Sequence, residues 1–194
     1  MQTLGISEAT PRSEGRLKSL FWPSIQSGAD VDYLAVQGYW VCFIVGILSL
    51  GFLFMARQPV TGVIVFLLLY LGGMGVREHS RFAAMIVLIY YCLDTIAAVA
   101  VMMASPSALV TRTIITALLL SNLRATWIAS NWQAGSEEAA LPPRMDETFR
   151  DKFVDQWPAL VWPKLRIVYY IFSVVFALLS AVGIVTIVSG RTHL

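Results

Sequence analysis

Charged side chains are scarce in this sequence. They make up 13% of its 194 residues, whereas soluble domains carry roughly a quarter. Hydrophobic residues reach 57%, and the mean hydropathy is +0.70. This balance argues against a water-soluble fold and indicates that lipid surrounds most of the chain. The net charge of +2 is also too small to indicate a nucleic-acid partner.

Metal-ligating and reactive side chains are equally few. Two histidines, His79 and His193, cannot build a multi-histidine metal site. Cys42 and Cys92 both fall inside apolar runs and form no CxxC pair, so both are predicted to be small buried side chains. Because no phosphate-binding loop, dinucleotide fingerprint, zinc-protease motif or serine nucleophile elbow occurs, no catalytic residue, metal or cofactor is predicted.

The sequence also lacks the pattern of a cleavable signal peptide. Its first thirty residues are polar, carry no apolar core and are interrupted by Pro11, Gly15 and Pro23. Residues 1–33 are therefore predicted to form a segment that lies before the first membrane span.

Five apolar runs dominate the rest of the chain, and each approaches the roughly 20 residues needed to cross a bilayer. They are residues 34–56, 60–76, 82–104, 107–128 and 167–189. Helices are expected, since a spanning segment must satisfy its own backbone hydrogen bonds and these runs lack the alternation of barrel strands. The predicted fold is all-α: a polytopic membrane helical bundle over 34–189, with a loop at 129–166 and a tail at 190–194. Whether 60–76 spans fully stays open.

Lys and Arg residues set the predicted orientation, because cytoplasmic loops carry an excess of them. An amino terminus in the cytoplasm leaves only Arg57 and Arg191 on the opposite side. The cytoplasmic side then holds Arg12, Arg16, Lys18, Arg77, Arg81, Arg144, Arg150, Lys152, Lys164 and Arg166. We therefore expect a multi-pass protein with a cytoplasmic amino terminus. A bacterial inner membrane is the expected location, since no organelle signal appears.

The tryptophans share the side on which the Lys and Arg residues gather. Amphipathic rings favour the headgroup level of a bilayer, so an interfacial belt is the main interpretation and ligand binding is the alternative. The predicted belt contains Trp22, Trp40, Trp127, Trp132, Trp157 and Trp162.

The long cytoplasmic loop contains a helical pattern. Met145, Phe149, Phe153 and Trp157 recur at every fourth position, and charged residues lie between them. We predict an amphipathic surface helix over Met145–Trp157 that ends at Pro158. Its charged face is net acidic, which favours packing against the bundle or a partner over recruitment to anionic lipid.

Two charges lie inside predicted spans, where ionisable side chains are costly and usually find a partner in the bundle interior. Asp94 is in the third span and Arg112 in the fourth. A turn at Pro106 makes these helices antiparallel neighbours, with Asp94 about 6–8 Å deeper. An intramembrane Asp94–Arg112 ion pair is therefore predicted. It would lock two helices together or act as a gate or proton-linked site; otherwise Arg112 extends outward on its own.

A second polar group is predicted on the cytoplasmic side. Arginine forks bind phosphate and carboxylate groups, so these side chains could form a vestibule for a head group; otherwise they are simply solvated. The candidates are Asn122, Arg124, Arg77, Glu78, His79 and Arg81.

Three functional hypotheses follow. The first is a non-enzymatic subunit, assembly factor or scaffold, because small-residue faces such as Gly38–Cys42–Gly46 and Ser173–Ala177–Ala181 permit close helix packing. The second is a small-solute or ion transporter or channel that uses Asp94 and Arg112. The third is a lipid-binding or lipid-active protein. The expected partners are membrane lipids together with further copies of the chain or another membrane protein.

Overall fold

The computed structural model describes residues 15–100, 105–132, 141–144 and 147–191, and this part of the chain is helical without strands. Its elements are α1 (Arg16–Phe21), α2 (Gly28–Met55), α3 (Pro59–Arg77), α4 (Arg81–Ala100), α5 (Pro106–Ala129), α6 (Phe149–Asp151), a π-helical turn (Lys152–Gln156) and α7 (Trp157–Arg191). Five of them, α2, α3, α4, α5 and the helix that ends in α7, are long and apolar enough to cross a membrane. The predicted all-α bundle with five spans is confirmed.

Local sequence signals explain where these helices begin. Pro59 and Pro106 occupy the first turns of α3 and α5, where the missing N–H of proline costs nothing. A capping box of Ser27 and Asp30 starts α2, with the Ser27 N–H donating to Asp30 Oδ2 at 3.2 Å. Because of this cap, α2 begins six residues before the predicted start at residue 34.

Four of the spans form a square. Along the chain α2 packs on α3, α3 on α4 and α4 on α5, and α5 closes the square against α2. The last span, α7, lies outside this square and packs across α3 and α4. The core between the helices contains Cys42, Leu68, Leu69 and Val87, which are all buried. Three helices, α2, α4 and α7, therefore cover α3, and half of its apolar window is buried in the protein.

The predicted surface helix is instead the beginning of the last span, so its predicted end at Pro158 is wrong. Within the described residues the helix runs from Phe149 without a break, through the π-helical turn into α7. The Trp157 N–H bonds to the Lys152 carbonyl five residues back. Such a wide turn directly before a proline fits the ring into a continuing helix. Met145 lies outside the described residues.

This joined helix is longer than a bilayer is thick. The 35 residues of α7 alone span about 52 Å, against a hydrocarbon core of about 30 Å. The predicted four-residue face is only partly packed. Phe153 packs against Tyr39 and Phe43, while Trp157 and Phe149, whose ring stacks on Phe153, are exposed. The first turns of the helix therefore pack on the end of the bundle.

Two glycines in α3 make this close packing with α4 and α7 feasible. A Cβ atom at Gly75 would lie 2.5 Å from the Ala83 Cβ and 2.6 Å from the Trp162 Cζ2. At Gly72 it would lie 2.6 Å from the Tyr169 hydroxyl. Both separations are shorter than van der Waals contact, so α7 can approach α3 only where side chains are absent.

Gly75→Ala should therefore destabilise the bundle by about 1–3 kcal/mol through overpacking. Gly51→Ala is the matched control, since nothing lies within 4 Å of a Cβ there. Thermal unfolding of both variants in the same detergent measures the difference. We expect a lower midpoint for Gly75→Ala and an unchanged or slightly higher midpoint for Gly51→Ala. Equal midpoints would contradict the packing of α7 on α3.

Candidate functional site

Charged side chains gather at the end of the bundle where α3 meets α4, which we call the Arg77 end. Arg77 is the last residue of α3 and is only 2% exposed. A buried guanidinium is strongly destabilising unless carboxylates and hydrogen bonds compensate for its lost hydration. The structure supplies both from two other helical segments.

Two carboxylates hold this guanidinium. Arg77 Nη1 contacts Asp32 Oδ1 near the start of α2. Its Nε and Nη2 donate to Asp155 Oδ1 in the π-helical turn, at 3.1 and 2.6 Å. We call Asp32, Arg77 and Asp155 the Arg77 clamp. The clamp joins α2, α3 and the beginning of the last span at a single point.

Neighbouring polar contacts reinforce the clamp. Arg144 Nη1 lies 2.5 Å from Glu78 Oε1 and donates to the Asp155 carbonyl at 3.3 Å. The Tyr39 hydroxyl donates to the Phe153 carbonyl at 3.1 Å. Arg144 is therefore fixed to the end of α3, and the π-helical turn is fixed to Arg144 and to α2.

His79 lies in the two-residue turn beside the clamp with a φ of 55°, in the left-handed region. Its Nε2 is buried, has no hydrogen-bond partner in the described part of the chain, and lies 3.8 Å from Asp32 Oδ1. Burial lowers the pKa of His79 to about 4. The positive charges of Arg77 and Arg144 also lower this pKa, while the negative charges of Asp32 and Glu78 raise it in part. The imidazole is therefore neutral at physiological pH.

The six vestibule candidates have separate sets of partners. Arg77, Glu78 and His79 belong to the clamp region described above. Asn122 Nδ2 donates to the Leu34 carbonyl at 2.7 Å, inside the contact between α2 and α5.

The two remaining candidates contact aromatic rings. Arg124 donates to the Pro23 carbonyl at 2.9 Å, and its guanidinium lies 4.8 Å from the centre of the Trp22 ring. The Arg81 guanidinium lies 5.2 Å from the centre of the Phe82 ring. The structure thus gives these cations different surroundings and does not gather them around one polar opening.

The tryptophans divide into exposed and packed groups. Trp22, Trp127 and Trp157 are exposed, whereas Trp40 and Trp132 are half-buried. Trp162 is buried between Gly75 and the rings of Tyr169 and Tyr170, so it is a packing residue of the core. Its position follows from the extension of α7, which brings residue 162 against α3.

The structure brings Asp94 and Arg112 into contact. Arg112 Nη1 lies 2.5 Å from Asp94 Oδ2 and 3.3 Å from Thr95 Oγ1, so the contact joins α4 to α5. The Asp94 side chain is 46% exposed. The pair therefore lies towards the outside of the bundle rather than along its centre.

Sequence reasoning found Arg77 but not its partners. The sequence alone places Asp32 in the polar amino-terminal segment, Asp155 among the charged residues of the predicted surface helix, and Arg144 in the long loop. The useful signal was Arg77 itself, since a cation directly after the small and apolar residues 72–76 needs carboxylates nearby if it is buried.

Neither a metal site nor a relative identifies a function. Among the described residues no three His, Cys, Asp or Glu side chains lie close enough together to hold a metal ion. Comparison with known proteins gives no match to a protein family, to a curated sequence or to a solved structure.

His79 gives the clamp region a specific pH dependence. An unfolded histidine titrates near pH 6.5, whereas folded His79 titrates at about 4. Between these values the unfolded chain binds more protons than the folded chain. The contribution of His79 to the unfolding free energy is therefore complete above pH 6.5 and decreases as the pH falls towards 4.

His79→Asn should reduce this loss, because asparagine tolerates a positive φ and does not titrate. We expect the wild type to lose about 1 kcal/mol more than the variant for each pH unit between 6.5 and 4. Thermal or denaturant unfolding in detergent across this range measures the two slopes. The carboxylates and arginines around the site are the same in both proteins, so their titration affects both equally. If stability depended on pH in the same way in both proteins, His79 would not be buried as a neutral group.

Proposed function

We propose that this chain is a small non-enzymatic membrane protein that serves as a subunit, assembly factor or scaffold. One observation carries this proposal: the charged groups within the bundle are occupied by internal partners. Arg77 binds Asp32 and Asp155, and Arg112 contacts Asp94. Charges held in this way stabilise helix packing, whereas catalysis and transport need polar groups that face a substrate.

We also propose that the protein lies in a bacterial inner membrane with its amino terminus and its Arg77 end in the cytoplasm. The excess of Lys and Arg at that end supports this orientation. Arg81, Arg144 and Lys152 lie there, whereas Arg57 lies between α2 and α3 at the other end.

The transport hypothesis has weaker support. Asp94 and Arg112 lie towards the outside of α4 and α5. A narrow apolar crevice lies beside Cys42 and Leu119, and a groove between α4 and α7 lies beside Tyr90. The Asp94–Arg112 pair lines neither of them. A polar path that includes the pair would have to open by a movement of the helices.

The outer face of α7 is the surface on which we expect a partner or second copy. Only 11% of the apolar window in this span is buried, against 50% in α3, because α7 lies outside the four-helix square. Leu179 on this face is 66% exposed. Leu48 on α2 is 67% exposed and offers a matched position on another face.

Native mass spectrometry of gently extracted protein tests the proposal. We expect particles heavier than the 21.5 kDa chain by a whole number of protein subunits. Leu179→Trp should reduce the assembled fraction severalfold, and Leu48→Trp should leave it unchanged. A particle that contains a single chain in every gentle extraction would contradict the proposal, as would solute flux in reconstituted vesicles that is lost in Asp94→Asn.

A further inference from the structure

A groove opens between α4 and α7 inside the apolar part of the bundle. It has a volume of about 230 Å³ and is lined by Leu68, Ile86, Tyr90, Ser173, Ala177 and Leu178, among others. Pockets for whole drug-sized ligands usually exceed about 300 Å³. The groove is therefore suited to one segment of a long apolar molecule, such as a hydrocarbon chain, rather than to a complete compact ligand.

A serine side chain lines this groove opposite Tyr90. Ser173 is only 2% exposed, and its hydroxyl lies beside the Tyr169 hydroxyl; neither group has a hydrogen bond of good geometry in the described part of the chain. A buried hydroxyl without a partner is destabilising by about 1–3 kcal/mol. An apolar ligand that carries a hydrogen-bond acceptor at this depth would remove that penalty.

Cations lie above the groove at the Arg77 end. Arg166 precedes Tyr170 by four residues and is exposed on the same side of α7. Tyr170 packs against Phe82, and the Arg81 guanidinium lies 5.2 Å from that ring. Arg81 and Arg166 thus flank the upper end of the channel between α4 and α7.

The vertical spacing matches a phospholipid. Ser173 follows Arg166 by seven residues, which is about 10 Å along the helix. A headgroup layer is about 5–8 Å deep on each side of the hydrocarbon. If Arg166 is level with the phosphates, Ser173 lies just inside the hydrocarbon, at the depth where acyl ester groups end and methylene chains begin.

We propose that the groove between α4 and α7 binds one phospholipid. Its phosphate contacts Arg81 and Arg166, as basic pockets between cytoplasmic helix ends bind anionic headgroups. The Ser173 hydroxyl donates to an ester carbonyl, and the acyl chain lies along Ile86, Ala177 and Leu178. Of the six vestibule candidates this site uses only Arg81, since Arg77 is closed off by its two carboxylates.

Native mass spectrometry of the delipidated full chain, titrated with phosphatidylglycerol in detergent, tests this site. We expect one lipid to bind to the wild type. Ala177→Phe should fill the groove and lower the bound fraction at least fivefold. Leu48→Phe, at an exposed position on α2 that does not line the groove, is the matched control and should bind normally.

Two further variants test the contact with the lipid phosphate and the contact with the ester group separately. Arg166→Gln should weaken binding at least fivefold, whereas Arg57→Gln removes the same charge at the opposite end and should not. Ser173→Ala adds no bulk, so it tests the site even if the larger Ala177→Phe variant fails to fold. It should lose about threefold to tenfold in affinity for the ester lipid and nothing for a diether analogue, which has no carbonyl to accept the hydrogen bond.

Several outcomes would overturn the proposal. Equal lipid binding by the wild type and Ala177→Phe would show that the groove is not the site. Normal binding by Arg166→Gln would show that no phosphate is recognised there. Wild-type protein that retains no lipid at saturating phosphatidylglycerol would exclude a phospholipid altogether.

Discussion

A buried arginine constrains the rest of this structure. Arg77 ends an apolar helix and is closed off from solvent, so its charge must be neutralised by groups from other segments. Asp32 reaches the Arg77 guanidinium only because α2 begins early. Asp155 reaches it only because the last span extends through the π-helical turn. The starts of two helices and the end of a third are thereby fixed to one another.

Away from the Arg77 clamp, shape complementarity holds the helices together. Lipid is as apolar as the helices it surrounds, so burial of leucine and valine contributes little to their association. Close approach then matters more, and α3 provides it through Gly72 and Gly75, against which Tyr169 and Trp162 of α7 pack. The most deeply buried span therefore carries these small residues, while α7 exposes its apolar side chains outward.

The long apolar runs were enough to predict the five spans, because hydrocarbon thickness imposes a length that continuous sequence patterns report directly. Features that depend on tertiary contacts were not predictable. Pro158 appeared to end a helix, but the π turn before it lets the helix continue. The partners of the vestibule candidates were equally out of reach, since Arg77 binds Asp155 and Arg124 binds the Pro23 carbonyl, contacts that depend on how the helices pack.

The most direct test of this account is the unfolding free energy of three variants in detergent. Arg77→Met leaves two partly buried carboxylates without a cation, and should be destabilised by about 3–5 kcal/mol. The triple variant Asp32→Asn/Arg77→Met/Asp155→Asn removes all three charges and should recover most of that loss, whereas Asp94→Asn/Arg112→Gln should have a smaller effect. An Arg77→Met protein as stable as the triple variant would contradict the claim that paired burial of Arg77 organises the bundle.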